Sequence, residues 1–237
     1  TVSISCAGTY NVNVDGKKTI SYKRNDVFDV AAFAEENTFD YITVEPETAS
    51  DRIVLKNFEK SDGTPSYHGT IHIQKKEGYI VTNEIDLEEY LYAVVSSEMP
   101  SSYEKEALKA QAICARSYAC MQMVKGDYAA LGAHVDDSTN YQVYNKNPAG
   151  EKSVKAVEDT VGQVLKYKGN VVEAYYYSTS CGHTGTMENW NLSDDKTYGY
   201  LKSVWVKKDA PKTDLSKEKN FRTYIQSGDE VCFDGKT

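Results

Sequence analysis

One carboxylate, Glu98, stands at the junction of two helical patterns and is the first candidate for chemistry. It precedes Met99 and Pro100, and the residue before a proline is biased away from the helical conformation. We therefore expect the first helix to end near Glu98 and to leave its carboxylate in a connection. Most carboxylates in connections are solvated and inactive, so local sequence alone leaves that ordinary role open.

Two cations in the alanine-rich pattern that follows point in one direction. Lys109 and Arg116 are seven residues apart, which is two helical turns. They could fix a polar substrate or steady charge that develops beside Glu98. Pairing with acids such as Glu106 or Asp136 explains the two cations about equally well.

A scaffold for these residues is predicted from hydrophobic periodicity. Strands and helices alternate without regular repeats, which favours an α+β fold over a wound parallel sheet. We expect mixed small sheets packed around a long alanine-rich central helix, with a substrate groove. The predicted elements are strands at 41–45, 52–56, 69–74, 78–83, 163–167 and 171–177, and helices at 26–36, from about 87, from an N-cap at Ser101 to Lys125, and at 151–160.

Composition narrows the classes of function. The chain has 237 residues and a net charge of −8, and it lacks a sustained basic run, which argues against a nucleic-acid partner. No apolar run is long enough to span a membrane. The 19 tyrosines, against 6 phenylalanines and 2 tryptophans, would suit stacking on a glycan or packing within a sheet, and both uses stay open.

The five cysteines form no CxxC pair, so neither a disulfide framework nor a standard structural zinc site is expected. Cys114 and Cys120 are interpreted as core residues of the long helix. Cys181 with His183 is a weak candidate for a nucleophile and base. We expect no metal and no cofactor, although metal binding by Cys181, His183 and His134 is not decided by the sequence.

A single acid suffices for one kind of glycan cleavage. The acid protonates the leaving glycosidic oxygen and then, as a base, activates the attacking group. If that group is a hydroxyl of the substrate itself, no second carboxylate is required. Glu98, beside Met99 and the Val94-Val95 stripe, has the partly apolar surroundings that such a group needs.

At these residues the chain resembles the stage II sporulation protein D family, also described as the amidase-enhancer family. The resemblance is strong over most of Thr70 to Asp209 and weak over Thr1 to Gly69. It is carried, in order, by Leu87-Glu-Glu-Tyr-Leu91, Ser97-Glu-Met-Pro100, Ala107-Leu-Lys-Ala-Gln-Ala112, Ala115-Arg-Ser-Tyr118, Tyr141-Gln-Val-Tyr144, Gly162-Gln-Val-Leu165, Tyr175 to Thr184 and Tyr200-Leu-Lys-Ser-Val204.

The resemblance implies a peptidoglycan lytic transglycosylase of sporulation, acting in engulfment. It would cleave the MurNAc-GlcNAc bond of glycan strands whose peptide stems a partner amidase has removed, and leave 1,6-anhydro ends. Glu98 matches the catalytic acid. The implied substrate-binding residues are Lys109, Arg116, Gln142, Tyr144, Tyr177, Tyr200, Lys202 and Asp209. The alternative is a non-catalytic peptidoglycan-binding protein that recruits or enhances a cell-wall amidase.

We expect one catalytic domain over residues 1–237, with a weaker β-rich part at 1–69 and with both ends trimmed from a longer protein. Full-length relatives usually carry an N-terminal membrane anchor, which implies an extracytoplasmic location between the mother-cell and forespore membranes. Two departures from the family pattern are visible. Val135 to Asp137 and Asn140-Tyr141 stand where relatives often show Cys and His-Cys, and Cys181 replaces a usual glycine.

Overall fold

Short strands and helices alternate irregularly, and the α+β prediction is confirmed. The computed structural model describes residues 1–59, 63–144, 149–177, 184–205, 213–214 and 217–226. The strands are β1 (Ser3–Cys6), β2 (Tyr10–Val14), β3 (Lys18–Tyr22), β4 (Phe28–Asp29), β5 (Tyr41–Pro46), β6 (Ile53–Leu55), β7 (Ser66–Tyr67), β8 (Thr70–Lys75), β9 (Tyr79–Glu84), β10 (Lys166–Tyr167) and β11 (Asn170–Val171). The helices are α1 (Val30–Glu36), α2 (Leu87–Glu98), α3 (Lys105–Lys125), α4 (Glu151–Glu158), α5 (Asp195–Tyr198) and α6 (Glu218–Gln226).

Most strands belong to two antiparallel sheets. The larger sheet has the order β3-β2-β5-β8-β9, and the smaller has the order β4-β1-β6-β7. In β8 the side chains of Ile71 and Ile73 are buried while their neighbours are partly exposed, because successive side chains of a strand point to opposite faces. The predicted hairpin over 69–83 is confirmed as β8 and β9, with Thr70 opposite Glu84.

The helix that ends at Glu98 begins at Leu87, as expected from the acidic residues Glu84 and Asp86 at the end of the hairpin. The Asp86 carboxylate accepts the Glu88 N–H and caps α2, satisfying one of the donors that every helix start leaves open. At the other end Met99 is extended, as a residue before proline prefers. Glu98 is therefore the last residue of α2, and the expectation that it lies in a connection is wrong, because the chain leaves the helix only at Met99.

The long helix α3 packs against α2 and α4. Its buried small residues Ala112, Ala115 and Ala119 permit a close approach of the neighbouring helices. The predicted N-cap is wrong, because α3 begins after Glu104 and the Ser101 hydroxyl lies instead 3.2 Å from the Ser153 hydroxyl.

The long helix ends as predicted at Gly126, which has a φ of 67°. A left-handed residue at this place satisfies the open carbonyls of the last turn, and glycine adopts that conformation without the steric penalty of a Cβ.

One predicted helix and two predicted strands are shorter than expected. The helix predicted from Asp26 begins only at Val30, because Phe28 and Asp29 pair with β1 and Asp29 caps the helix. The strands predicted over 163–177 shrink to the two-residue strands β10 and β11. Side chains of α3 form hydrogen bonds with the backbone just before β10. Arg116 donates to the Gln163 carbonyl, and the Ser117 hydroxyl accepts the Leu165 N–H.

The chain divides into two compact units. The first comprises residues 1–165 and 171–174 and holds both sheets and α1 to α4; the second comprises residues 166–170 and 175–237. The single domain predicted over 1–237 stays a prediction. None of the helices in the described ranges has the length and apolarity that crossing a bilayer requires.

A buried ion pair joins the helices of the first unit. Arg116 of α3 is 1% exposed, and its guanidinium makes a two-point contact with Glu88 of α2, Nε to Oε1 at 2.8 Å and Nη2 to Oε2 at 2.6 Å. The same guanidinium donates to the carbonyls of Val157 and Gln163. Planar two-point pairing of this kind suits arginine and not lysine.

Removal of one partner of this pair should destabilise the first unit. Glu88→Ala leaves the Arg116 charge buried and unpaired, and we expect the free energy of unfolding to fall by about 3–5 kcal/mol. Urea unfolding followed by circular dichroism measures the loss. The matched control is Glu89→Ala, which removes the next acid of the same helical turn and should cost about 1 kcal/mol or less. Equal losses in the two variants would contradict the role given to the pair.

A second charge cluster predicts acid sensitivity. Hydrogen bonds from Lys105, at 2.7 Å, and then from Lys155, at 3.0 Å, lower the pKa of Asp159 from 3.8 to about 2. Because the folded pKa is depressed, the stabilisation is present above about pH 4 and is lost as the pH falls toward 2. The difference in melting temperature between the native protein and Asp159→Asn should therefore shrink between pH 6 and pH 2. A difference that stays constant over this range would contradict the assignment.

Candidate functional site

The carboxylate of Glu98 is oriented by one backbone group. Its Oε1 accepts the N–H of Val143 at 2.8 Å, which ties the end of α2 to the segment Tyr141 to Tyr144. Among the residues that the structure describes, the Glu98 carboxylate makes no other hydrogen bond and no ion pair. One oxygen is thus held while the other can take part in proton transfer, which is the arrangement of a general acid or base.

The position of Glu98 on its helix is electrostatically unfavourable. The C-terminal end of a helix carries the negative end of the backbone dipole, and a carboxylate there costs up to about 1 kcal/mol. No cation among the described residues compensates it with a salt bridge. An acidic side chain at a place where it does not stabilise the fold is a candidate for a functional residue.

Buried side chains on either side of Val143 fix the segment that holds Glu98. Gln142 is fully buried: its amide oxygen accepts the Tyr90 hydroxyl at 3.3 Å and its nitrogen donates to the Ala115 carbonyl at 3.2 Å. Tyr144 is also buried, and its hydroxyl donates to Asn83 at 3.2 Å. The contact to Glu98 therefore comes from a backbone N–H that two core side chains hold in place.

Three tyrosines form a stack under this segment. The ring centroid of Tyr144 lies 5.1 Å from that of Tyr90 and 5.9 Å from that of Tyr67. Burial raises the pKa of Tyr67 to about 12 and raises that of Tyr144 as well, so both hydroxyls stay neutral at physiological pH. Of the two uses of tyrosine left open by the sequence, packing is the one seen here.

The two aligned cations have different surroundings. Lys109 is partly exposed and pairs with Glu106 at 3.1 Å, which is the alternative that the sequence left open. Arg116 is buried, and its acid is Glu88, a partner that the sequence analysis did not consider. The predicted alternative Asp136 instead accepts hydrogen bonds from Tyr128 and Ser138.

The remaining predicted binding residues belong to the second unit. Tyr177 is exposed, Tyr200 is half-buried with its ring centroid 5.7 Å from that of Tyr167, and Lys202 is exposed. Asp209 lies outside the described residues. Glu98, Lys109, Arg116, Gln142 and Tyr144 belong to the first unit. The role of each of these residues stays a prediction.

An apolar cavity of about 570 Å³ lies in the first unit, and Glu98 is not among the residues that line it. Its polar lining includes Asn83, Asp136 and Asp137, and its walls are mostly aliphatic and aromatic. Tyr144 contributes to the lining, so the cavity and the segment that holds Glu98 share one residue. The predicted substrate groove stays a prediction.

Metal ligands do not gather in the part of the chain that the structure describes. There no group of three or more His, Cys, Asp or Glu residues is arranged to hold a metal ion, and His134 is exposed. Cys181 and His183 lie outside the described residues. Cys114 and Cys120 are free thiols, and burial raises the pKa of each, which makes them poor nucleophiles.

Comparison with known proteins agrees with the resemblance seen in the motifs. The sequence profile of the family described as Stage II sporulation protein matches residues 75–167, a range that contains Glu98 and Val143. Stage II sporulation protein D of Bacillus subtilis is 37% identical over 147 residues, which is 56% of this chain and 43% of that protein. An amidase enhancer of the same organism is 39% identical over 104 residues, 44% of this chain and 14% of that protein.

An uncharacterized protein of Brachyspira hyodysenteriae is also similar, with 38% identity over 138 residues, which is 56% of this chain and 37% of that protein. The chain thus spans less than half of the length of each of these curated relatives. The family resemblance predicted from the sequence motifs is confirmed for the matched range.

The anchoring of the Glu98 site can be tested at Gln142. In Gln142→Leu the Ala115 carbonyl and the Tyr90 hydroxyl lose a buried partner, and we expect the free energy of unfolding to fall by about 1–3 kcal/mol. Urea unfolding measures the loss. Gln163→Leu is the control, because the hydrogen bonds of Gln163 to other described residues are made by its backbone N–H and carbonyl and not by its side chain. A loss at Gln142 no larger than that at Gln163 would contradict the anchoring role.

Proposed function

Residues 75–167 match the family described as Stage II sporulation protein, and from this premise we propose that the protein is a peptidoglycan lytic transglycosylase of sporulation. Its substrate would be glycan strands stripped of their peptide stems, cleaved between N-acetylmuramic acid and N-acetylglucosamine. The observation that carries the proposal is the carboxylate of Glu98, oriented through one oxygen by the Val143 N–H and available through the other.

The first step of the proposed reaction uses Glu98 as an acid. Its proton passes to the glycosidic oxygen as the bond from C1 of the muramic acid to that oxygen breaks, and the leaving sugar departs with a free hydroxyl. Positive charge develops on C1 and the ring oxygen, and the carboxylate left behind is close enough to stabilise it. The hydrogen bond from Val143 fixes the carboxylate, so that little reorganisation is needed at this moment.

The second step uses the same group as a base. The Glu98 carboxylate takes the proton of the C6 hydroxyl of the muramic acid while the C6 oxygen bonds to C1. The product is a 1,6-anhydro end, the acid is regenerated, and no water is consumed. One carboxylate therefore serves both halves of the reaction, unlike the acid pairs of hydrolytic glycosidases.

Differences in burial support two different roles for the predicted binding residues. Arg116, Gln142 and Tyr144 are buried, and in this proposal they position the elements that carry Glu98. Lys109, Tyr177, Tyr200 and Lys202 are partly or fully exposed, and the proposal keeps them as groups that contact the glycan. Asp209 is retained as a further candidate from the family resemblance. No cofactor or metal takes part in the proposed steps.

A second candidate function follows from one comparison. The relative named amidase enhancer matches 44% of this chain, so the same domain could bind glycan and recruit or stimulate a cell-wall amidase without cutting the strand. In both candidates the partners are peptidoglycan and a cell-wall amidase. We also propose an extracytoplasmic location, between the mother-cell and forespore membranes, since peptidoglycan lies outside the cytoplasmic membrane and the amidase acts on it.

The acid assignment is tested with Glu98→Gln. A glutamine oxygen still accepts the Val143 N–H, so the fold should be kept, while the loss of the exchangeable proton should lower the rate of cleavage by at least about a hundredfold. The variant is incubated with stem-free glycan strands, and anhydromuramyl products are counted by mass spectrometry. The control is Glu104→Gln, which neutralises an exposed acid without a side-chain hydrogen bond in the described structure and should cleave normally.

The two candidate functions separate in the same experiment. If the native protein binds glycan strands but yields no anhydromuramyl product, the enzyme proposal fails and the amidase-enhancer function is favoured. If Glu98→Gln cleaves as fast as the native protein, catalysis stands but the acid assignment fails.

A further inference from the structure

An exposed aromatic pair lies in the second unit, among residues that the proposed reaction does not use. The rings of Trp190 and Tyr175 are stacked, with centroids 4.5 Å apart and planes 12° from parallel. Tyr175 is half-buried, yet Trp190 remains 53% exposed. One face of the indole is stacked on Tyr175. The exposed area of Trp190 is therefore taken to include the opposite face of the indole.

The chain around Trp190 is held by local hydrogen bonds. Trp190 ends the 3-10 turn Met187–Trp190, and the next residue, Asn191, has a φ of 55°, a left-handed conformation that asparagine tolerates. The Leu192 N–H returns to the Met187 carbonyl at 3.0 Å, and the Thr186 hydroxyl donates to the Asn189 side chain at 3.2 Å. The indole is therefore presented by a closed turn and does not hang from an open loop.

The groups beside the indole are polar and exposed. Glu188, Asn189 and Asn191 surround Trp190 in the sequence, and all three are exposed. They offer a carboxylate and amides, which can accept from and donate to hydroxyl groups. A flat apolar face bordered by such groups matches a pyranose ring, whose axial C–H bonds form an apolar face and whose hydroxyl groups lie at its edge.

We propose that Trp190, stacked on Tyr175, is a sugar-binding platform that holds one ring of a glycan strand, with Glu188, Asn189 and Asn191 as partners for its hydroxyl groups. The electron-rich face of the indole attracts the polarised C–H bonds of the sugar. Tyr175 supports the indole from behind, so little side-chain freedom is lost on binding. The identity of the glycan as peptidoglycan rests on the proposed function; the preference for a pyranose ring rests on the platform itself.

Glycan binding in a protein that cannot cleave tests the platform. The parent is Glu98→Gln, titrated with a hexamer of N-acetylglucosamine and with stem-free glycan strands by calorimetry. Adding Trp190→Ala should weaken binding of both by about tenfold, the size of loss that truncating an interfacial tryptophan commonly causes. Trp190→Phe keeps an aromatic face and should stay within about threefold of the parent. Val204→Ala, which trims another exposed apolar side chain of the same unit, should bind like the parent.

The phenylalanine variant keeps the test decisive if the alanine variant fails to fold. Tryptophan emission of the parent should also shift on saturation with the hexamer, and this shift should disappear in Trp190→Phe. Unchanged affinity in Trp190→Ala, or an equal loss in Trp190→Phe, would overturn the platform.

Failure of the platform and failure of the proposed function have different signatures. Binding that depends on Trp190 in a native protein that makes no anhydromuramyl product refutes the transglycosylase and keeps the platform. Normal cleavage together with glycan binding that does not depend on Trp190 refutes the platform and keeps the transglycosylase.

Discussion

The guanidinium of Arg116 is the interaction on which the helical part of the structure depends. From α3 it reaches Glu88 of α2, the Val157 carbonyl at the end of α4 and the Gln163 carbonyl beyond it. A buried charge of this kind is costly unless its donors find acceptors, and here two carboxylate oxygens and two carbonyls accept four hydrogen bonds from the guanidinium. The contact links three helices, and it thereby helps to fix the position of α2, the helix that carries Glu98.

The core also holds Glu98 in place, through the hydrogen bond from the backbone N–H of Val143. The amide of Gln142 and the ring of Tyr144 are buried on the side of the segment away from solvent, and Val143 between them turns its N–H to Glu98. Because the residues on both sides of Val143 are buried, the backbone between them is held in place. A proposed catalytic group is thus oriented by an element that the core holds rigid, as precise chemistry requires.

The two units contribute different kinds of surface. In the first unit the tyrosines at positions 67, 90 and 144 stack on one another, and the hydroxyls of Tyr90 and Tyr144 donate to Gln142 and Asn83. In the second unit Tyr177 and Trp190 keep more than half of their surface exposed. Exposed aromatic surface contributes little to folding, so its retention there favours recognition of a ligand.

Local patterns in the sequence determined much of the scaffold and of the candidate site. The hairpin before α2, the end of α2 ahead of Pro100, the end of α3 at Gly126 and the motifs around Glu98 all follow from periodicity, from proline and glycine, or from family resemblance. These features depend on residues close together in the chain, which is why they can be recognised without a structure.

Only the tertiary structure decided which groups meet. Glu88 lies 28 residues from Arg116, and Val143 lies 45 residues from Glu98, distances over which no periodic pattern carries information. For the same reason the sequence could not show that Gln142 and Tyr144 are core residues, or that α3 side chains replace the strand partners expected near Gln163. Each buried donor or acceptor bonds to a partner that lies near it in space, and the fold, not distance along the chain, determines which groups are near.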